Sequence, residues 1–520
     1  MRVLFIFSRE FADTPNKPLS GIQVIHIGVS LLSAVLKQHG HQTRLLVLTH
    51  DTSINLIGKT VMEFEPEMVC FTSVSSEFDY IVTVAEYFKK CYPLIFRVVG
   101  GTHVTLAPDD SMLDVFDALC IGEGEATLIE LVNTRVLGER IDGIQNLWLK
   151  NEAGEVRRNS SREFIQDLDS LPFPDLEIWN EWIDANEEAL VPPILLGRGC
   201  PYLCAYCSNH VLRNIAPGKY VRFRSPENIV AEIRSVKRRY PRIANIYMEV
   251  ETFIANMEWA MELCHQMEEL RGEFGMGGLG FMVNIRVNPS FPKHADDFFA
   301  RMKKAGFRSV NIGLESGSPR IREAVLRRHY GNDDIIQSVD LARKHGIEVR
   351  FFLLIGLPGE TPDDYFMTVE VTRRCLPEKF YLSIFHPYPG TDLQRLCQEN
   401  GYMPKTAECG LERRRARLEY PDFPMQLIQK AFIWFHFYVL RELRTPALLA
   451  RIIVDRYFRV YRAPLDMCLI PLYMVRDLYS NSLTLDSGNP ERTLAWLLAK
   501  EYVMEAVRRA RGVFPKPDHG

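Results

Sequence analysis

No stretch of the 520 residues reaches the roughly 18 uninterrupted apolar positions that a membrane-spanning helix needs. The nearest approach, Ala431 to Leu440, contains His436 and runs straight into Arg441 and Glu442. Neither sign of charge dominates. Lys and Arg number 62 against 66 Asp and Glu, a net of −4, so no global basic field exists to hold nucleic acid by counterion release. The short basic runs Lys237-Arg238-Arg239 and Arg413-Arg414-Arg415 read as solvated helix faces. Met1 to Ser8 is too short for an export leader and lacks a small-residue cleavage site. Cysteine is scarce: 11 residues, an odd number, which favours a reducing cytoplasm over a disulfide framework. Internal repeats and low-complexity tracts are absent as well. What remains is an ordinary globular balance, 47% hydrophobic and 25% charged, which excludes a disordered chain or a fibre. At about 150 residues per domain, the length suggests about three domains.

Residues 1–150 alternate short apolar runs with helical spacing. Val3–Phe7, Thr43–Leu48, Met68–Thr72, Phe96–Val99 and Ala118–Ile121 read as buried strands, with Ile22–Gln38 and Tyr80–Lys90 as helices packed on them. That alternation predicts a Rossmann-like parallel sheet, whose ligands sit beyond the carboxyl ends of the strands. Those ends, Thr72-Ser73-Val74-Ser75-Ser76, Gly100-Gly101-Thr102-His103 and Gly122-Glu123-Gly124-Glu125, are small, polar or glycine-rich. Either they are only turns of the fold, or their backbone lets a bulky ligand come close. Asn151-Glu152-Ala153-Gly154 is expected to turn between two short strands. Leu171-Pro172-Phe173-Pro174-Asp175 and Val191-Pro192-Pro193 mark a stiff linker over 151–190.

From 191 to 405 the alternation resumes. Strands are expected at Ile194–Leu196, Asn245–Val250, Gly280–Ile285, Ser309–Leu314, Glu348–Ile355 and Tyr381–Phe385. Helices are expected at Pro226–Arg239, Trp259–Leu270, Asp296–Ala305, Pro319–Leu326, Ile335–His345 and Pro362–Cys375. Six units predict a partial (β/α)6 barrel of the TIM type, with its chemistry at the carboxyl-terminal rim. The remainder, 406–520, reads as helical through Ile428–Arg444, Ala447–Val460 and Arg492–Arg511.

The cysteines cluster at one place, Cys200-Pro201-Tyr202-Leu203-Cys204-Ala205-Tyr206-Cys207. Soft, deprotonated sulfur suits iron and zinc. Gly199 and Pro201 argue against a regular helix that carries cysteine by chance. Zinc competes, but its structural sites usually take four ligands in two separated pairs, and only His210 follows nearby. Three thiolates at the end of a first barrel strand would leave one metal corner open.

The spacing Cys-x3-Cys-x2-Cys, with an aromatic residue before the last cysteine, resembles the radical SAM superfamily. The resemblance implies a [4Fe–4S] cluster on Cys200, Cys204 and Cys207. S-adenosylmethionine (SAM) would chelate the fourth iron and be cleaved reductively to a 5′-deoxyadenosyl radical. It also places Tyr206 beside the adenine. Glu249 and Glu251 would stand near the ammonium or ribose hydroxyls, and Arg286 would pair with the methionine carboxylate or with Glu315. Asn311-Ile312-Gly313-Leu314-Glu315-Ser316-Gly317-Ser318 resembles the family's fourth-strand pattern, which makes Glu315 and Ser316 site candidates. Phe352-Leu353-Leu354-Ile355-Gly356-Leu357-Pro358-Gly359-Glu360-Thr361 and Pro387-Tyr388-Pro389-Gly390-Thr391 resemble the fifth and sixth strand exits.

In one branch of that superfamily, the class B methyltransferases, a cobalamin-binding (B12-binding) sheet precedes the barrel. Gly21 through Gly40, then His41-Gln42-Thr43, resemble that sheet's first helix and second strand. The resemblance assigns cobalamin to Thr72, Ser73, Ser75, Gly100, Gly101, Gly122, Glu123 and Gly124. No Asp-x-His-x-x-Gly motif supplies a lower histidine ligand, and His26 reads as a packed histidine. The implied activity is methyl transfer through cobalamin to an unactivated carbon, with a second SAM as methyl donor. An oxidative cyclase or rearrangement enzyme of the same branch remains open, as does a non-catalytic cobalamin- or redox-responsive protein. The implied partners are a small-molecule substrate and a one-electron reductant such as flavodoxin or ferredoxin. The aromatic run Phe432 to Tyr438 and the apolar patch Met467 to Val475 leave room for a lipid or tetrapyrrole met by peripheral membrane association, although packing explains them too. The scattered Cys375, Cys397, Cys409 and Cys468 read as buried structural cysteines.

Overall fold

Continuous apolar runs make the first sheet. The computed structural model describes residues 1–9, 25–49, 54–151, 153–182, 190–274, 278–403, 413–461, 464–479 and 491–510. The elements up to 158 are β1 (Arg2–Arg9), α1 (Ile27–Gln38), β2 (Gln42–Thr49), α2 (Asn55–Phe64), β3 (Met68–Thr72), α3 (Phe78–Cys91), β4 (Phe96–Gly100), α4 (Thr102–Leu106), β5 (Ala118–Cys120), α5 (Glu125–Val136), β6 (Leu147–Lys150) and β7 (Val156–Arg158). Val3, Leu4, Phe5 and Ile6 of β1 are all buried, as a strand covered by helices on both faces must be. The sheet order is β2-β1-β3-β4-β5-β6-β7. Strands β1 to β5 run parallel, and β6–β7 adds an antiparallel hairpin. That hairpin is the one expected around Asn151, although Glu152 lies outside the described residues. It carries the first sheet to Arg158, beyond the expected limit of 150. The order reverses at β1, flanked by β2 and β3, which places a ligand crevice above the tips there.

His26 does not belong to the first helix but caps it. Its Nδ1 accepts the Val29 N–H at 3.2 Å, its ring lies 5.6 Å from Phe7, and burial lowers its pKa to about 4. It is a packed histidine. Gly21 and Ile22 lie outside the described residues.

The elements from 193 to 399 are β8 (Pro193–Leu195), β9 (Gly197–Arg198), α6 (Asn209–Leu212), β10 (Arg222–Phe223), α7 (Pro226–Arg239), β11 (Asn245–Glu249), α8 (Met257–Phe274), β12 (Gly280–Ile285), α9 (Ala295–Ala305), β13 (Phe307–Glu315), α10 (Asn332–Lys344), β14 (Glu348–Ile355), α11 (Pro362–Cys375), β15 (Lys379–Ile384) and α12 (Asp392–Glu399). Six parallel strands lie in the order β8-β11-β12-β13-β14-β15, with β8 and β15 left as edges, so the barrel is open on one side. β9 and β10 form a separate antiparallel clip. Local chemistry sets several helix starts. Ser225 caps α7 ahead of Pro226, and Thr361 with Asp364 closes a capping box on α11 ahead of Pro362.

Two expectations of regular helix fail. Ile321–Val325 forms a single wide turn rather than the α-helix read over 319–326. The fully buried Arg322 pulls that segment in, donating to the Ser316 carbonyl at 2.7 Å and to Asn332 Oδ1 at 2.6 Å. Arg413-Arg414-Arg415 is not a helix face either, since it lies in non-helical chain ahead of α13 (Met425–Leu440). The Arg413 carbonyl accepts the Ile384 N–H, and the Arg414 carbonyl accepts from Gln429.

The last helices are α13, α14 (Pro446–Val460), α15 (Pro464–Tyr479) and α16 (Glu491–Ala510). The aromatic run of α13 packs on the barrel. Phe435 lies 5.8 Å from Tyr365 and 5.7 Å from Phe380, and the Tyr365 hydroxyl donates to the Ala431 carbonyl. Met467 to Val475 lies on α15, which passes through Pro471. Among the described residues no helix is long and apolar enough to cross a membrane. Cys375 and Cys397 are buried, as expected; Cys409 and the Cys468 side chain lie outside the described residues.

Candidate active site

Cys200, Cys204 and Cys207 lie on the loop that leaves the β9–β10 clip, at the rim of the barrel. All three are free thiols, with Cys204 buried and the other two half-buried. Burial pushes Cys200 up to about 12 and raises Cys207 as well. Such thiols stay neutral until a metal's charge favours the thiolate. Donors already face the sulfurs. Arg286 Nη1 lies 2.9 Å from Cys204 Sγ and Asn209 Nδ2 lies 3.4 Å from Cys207 Sγ. Among the described residues, no three His, Cys, Asp or Glu side chains converge on a single ion. A cube-shaped cluster would take each of the three sulfurs at its own corner.

The strand ends around this loop bring together most of the expected side chains. Glu249 ends β11; burial, and then the neighbouring Glu251, push its carboxyl up to about 7. Glu251 is reachable by solvent but walled by protein, and desolvation raises it despite a bond from Asn209. Below them Tyr247 Oη and Asn311 Nδ2 both donate to Asn284 Oδ1, at 2.8 and 3.0 Å.

Glu315 ends β13 in the left-handed region, φ 59°, where a bulge interrupts the register with β14. Its partner is Arg328, at 3.0 Å, and not Arg286. Arg328 also donates to Tyr206 Oη at 2.9 Å and to the Gly313 carbonyl at 2.6 Å. Gly313 leaves the space for this pair, since a Cβ there would come within 2.5 Å of Glu315 Oε1 and 3.1 Å of Arg328 Nη2. Arg286 instead stacks on Tyr202, 3.6 Å from the ring centre. Ser316 is fully buried and turned away, with its hydroxyl beside Thr368 Oγ1 and accepting from the Ser318 N–H. It holds the β13 turn in place and does not line the site.

At the other sheet, Thr72, Ser73, Ser75, Gly100 and Gly101 are small residues at the β3 and β4 tips, interrupted by Val74 and followed by His103. Gly101 has a nearer reason to be glycine. Its φ is 97°, and a Cβ would lie 2.7 and 2.8 Å from the Ser73 backbone. The Ser75 hydroxyl bonds His103 Nδ1 at 3.0 Å, and the His103 ring lies 4.2 Å from Phe78. The cleft beside Gly122 has about 10 Å³ of room, enough for one water.

Glu123 does not join the face expected for cobalamin. Its carboxylate accepts from Arg198 at 2.9 Å, from Arg222 at 2.9 and 3.1 Å, and from the Ile165 N–H at 2.8 Å. Glu125 binds Arg198 as well. Arg198 and Arg222 belong to the clip that roots the cysteine loop, so these bonds tie the β5 tip of the first sheet directly to the thiols' base.

Two family models match the chain in these places. The radical SAM superfamily matches residues 194–371, and the B12 binding domain matches residues 20–132. This chain carries a B12-binding domain followed by a radical SAM domain. Its cofactor set is that of the two domains: a [4Fe–4S] cluster with SAM at the barrel, and cobalamin at the first sheet. An uncharacterized methyltransferase of Pyrococcus horikoshii is 29% identical over 372 residues, spanning 71% of this chain and 77% of its own. The anaerobic magnesium-protoporphyrin IX monomethyl ester cyclase of Rubrivivax gelatinosus is 23% identical over 409 residues, 76% of this chain and 69% of its own. Among solved structures, the methyltransferase TsrM of Kitasatospora setae with cobalamin and [4Fe–4S] cluster bound covers 98% of this radical SAM protein and 99% of its own chain, with a TM-score of 0.63 at 17% identity. OxsB with aqua-cobalamin and SAM bound covers 99% and 82%, with a TM-score of 0.68 at 15% identity. At those identities the two structures show the fold.

Arg198, Arg222 and Arg328 carry no signal in the sequence of this radical SAM protein. Each has its carboxylate partner 13 to 99 residues away in the chain, and Arg328 stands beside Arg327.

Proposed function

We propose that this chain is a radical methyltransferase that moves a methyl group by way of cobalamin to an unactivated carbon of a small-molecule substrate. The observation that carries the reading is the set of bonds from Glu123 and Glu125 to Arg198 and Arg222, which holds the face of one sheet against the cysteine loop of the other. When bound, the cluster with SAM supplies a 5′-deoxyadenosyl radical, and cobalamin supplies the methyl group. Cys200, Cys204 and Cys207 hold the cluster, and Arg286 sets the Cys204 sulfur by its N–H. Glu249 and Glu251 receive the ammonium or ribose hydroxyls of SAM by charge-assisted bonds. The Arg328–Glu315–Tyr206 group fixes the wall on which the adenine rests. Thr72, Ser73, Ser75, Gly100 and Gly101 form the cobalamin face, and Glu123 acts as the tie between the sheets. The domain division we assign is 1–158, a linker to 190, 191–405 and 406–520. The electron comes from an external one-electron carrier of the flavodoxin or ferredoxin type.

Turnover with SAM labelled by deuterium in its methyl group tests this reading. Labelled product together with 5′-deoxyadenosine is expected, whereas a product without the labelled methyl removes methyl transfer. The second outcome would favour a cyclase-like reaction, a reading supported by the similarity to the Rubrivivax cyclase.

A further inference from the structure

A cavity of about 1080 Å³ opens beside β15, the free edge of the barrel. That is slightly above the usual range for small-molecule sites, about 300–1,000 Å³. Strand β15, α13, α14 and the chain at 413–414 wall it, and Ser76 at a tip of the first sheet reaches its rim. Six cations line it: Lys379, Arg413, Arg414, Arg444, Arg456 and Arg459. The one carboxylate among the lining residues, Glu378, is engaged elsewhere. It accepts the Val349 N–H at 2.7 Å and faces Arg343 at 3.8 Å.

The cations act on one another. Burial, and next Arg459, lower the Arg456 guanidinium to about 10, and burial, with Arg456 and Arg459, holds His436 well below its ordinary value. Arg456 Nε and His436 Nδ1 are buried without a hydrogen-bond partner. Arg459 is already paired with Asp455 at 2.6 Å, and a wall this rich in cations draws a further anion. The remaining wall is apolar, part aliphatic and part aromatic, with Phe380 4.4 Å from the His436 ring and Phe432 beneath Arg456 at 4.5 Å. Tyr381 joins this wall and meets Phe352, its register partner on β14, at 5.5 Å in a tilted contact, so the cavity meets the barrel strands there.

We propose that this cavity binds the substrate, and that the substrate is a multivalent organic anion with an apolar or aromatic body. The body lies on Phe380, Tyr381 and Phe432, and the anionic groups meet the arginines. The assignment rests on the radical reading for what happens to the bound molecule, but not for the binding itself.

Calorimetric titration of the full chain, reconstituted anaerobically with iron, sulfide and hydroxocobalamin, tests it with pyrenetetrasulfonate as the probe. One-to-one binding is expected, at least about tenfold tighter than for neutral pyrenemethanol. Arg414→Glu combined with Arg444→Glu, both at exposed positions, is expected to weaken the probe by a further factor of about ten or more, and Arg→Lys at both positions to restore most of it. Equal affinity for the neutral ring, binding indifferent to charge reversal, or binding only when hydroxocobalamin is omitted would each overturn the assignment. The last result would make the cavity part of the cobalamin bed. Reductive cleavage of SAM by the same preparations reports separately on the radical reading, and its failure would leave the binding result standing.

Discussion

At the scale of single residues, buried charge organises the rim. Arg328 serves a carboxylate, a phenol and a carbonyl at once, and the β13 bulge with Gly313 exists around it. Glu360 is the opposite case, a carboxyl with 0% exposure in the Gly356–Thr361 turn. Its Oε2 accepts the Gly356 and Leu357 N–H groups, yet burial pushes it from 4.5 up to about 8. Below 4.5 both folded and unfolded chains carry the proton. Between 4.5 and about 8 only the folded chain keeps it, so stability falls as pH rises, by about 1.4 kcal/mol per unit, and levels off above. Thermal melts at pH 5 and pH 8 should show Glu360→Gln gaining on the wild type at pH 8; parallel curves would contradict this. Residue type and spacing singled out the three cysteines, Glu249, Glu251 and Glu315, and the structure places Glu249 and Glu315 at the carboxyl ends of their strands. Ser316 and Glu123 were legible as motif positions but not in their orientation, because partners on distant elements set it: Thr368 for the first, Arg198 and Arg222 for the second.

At the scale of elements, the clip β9–β10 is the joint of the molecule. Its arginines leave the barrel to reach the β5 tip, and Arg222 is 4% exposed. Removing a partner from a buried charge typically costs on the order of 3 kcal/mol or more. Glu123→Ala is therefore expected to lower the melting temperature by several degrees and to speed proteolytic cleavage between the two sheets, whereas a variant that melts and resists protease like the wild type would remove the joint. The strands were legible because parallel strands covered on both faces are apolar throughout, and each lies within a few residues of its expected place. Elements without such a signature were missed: the short α4, α6 and α12, α2 over Asn55–Phe64, α5 over Glu125–Val136, the β9–β10 clip, and α15 through Pro471. The helix expected at Pro319–Leu326 was overridden by the inward pull of Arg322. The arginine run at 413–415 looked like a solvated face because composition does not show that β15 and α13 fold a cavity around it.

At the scale of the whole molecule, two parallel sheets present their carboxyl-terminal tips to each other, bridged by a few charged bonds, with a helical region over the barrel's open edge. The fold class and the order of the domains could be read from alternation alone, but the relation of one sheet to the other could not. The account rests on the three thiols leaving one iron of a cluster free for SAM. The direct measurement is the yield of 5′-deoxyadenosine from anaerobically reconstituted protein given SAM and a chemical reductant, for the wild type and for Cys200→Ser, Cys204→Ser and Cys207→Ser. The account predicts product from the wild type alone, with the iron–sulfide absorbance lost or altered in each variant. A serine variant that keeps both the absorbance and the yield would contradict it.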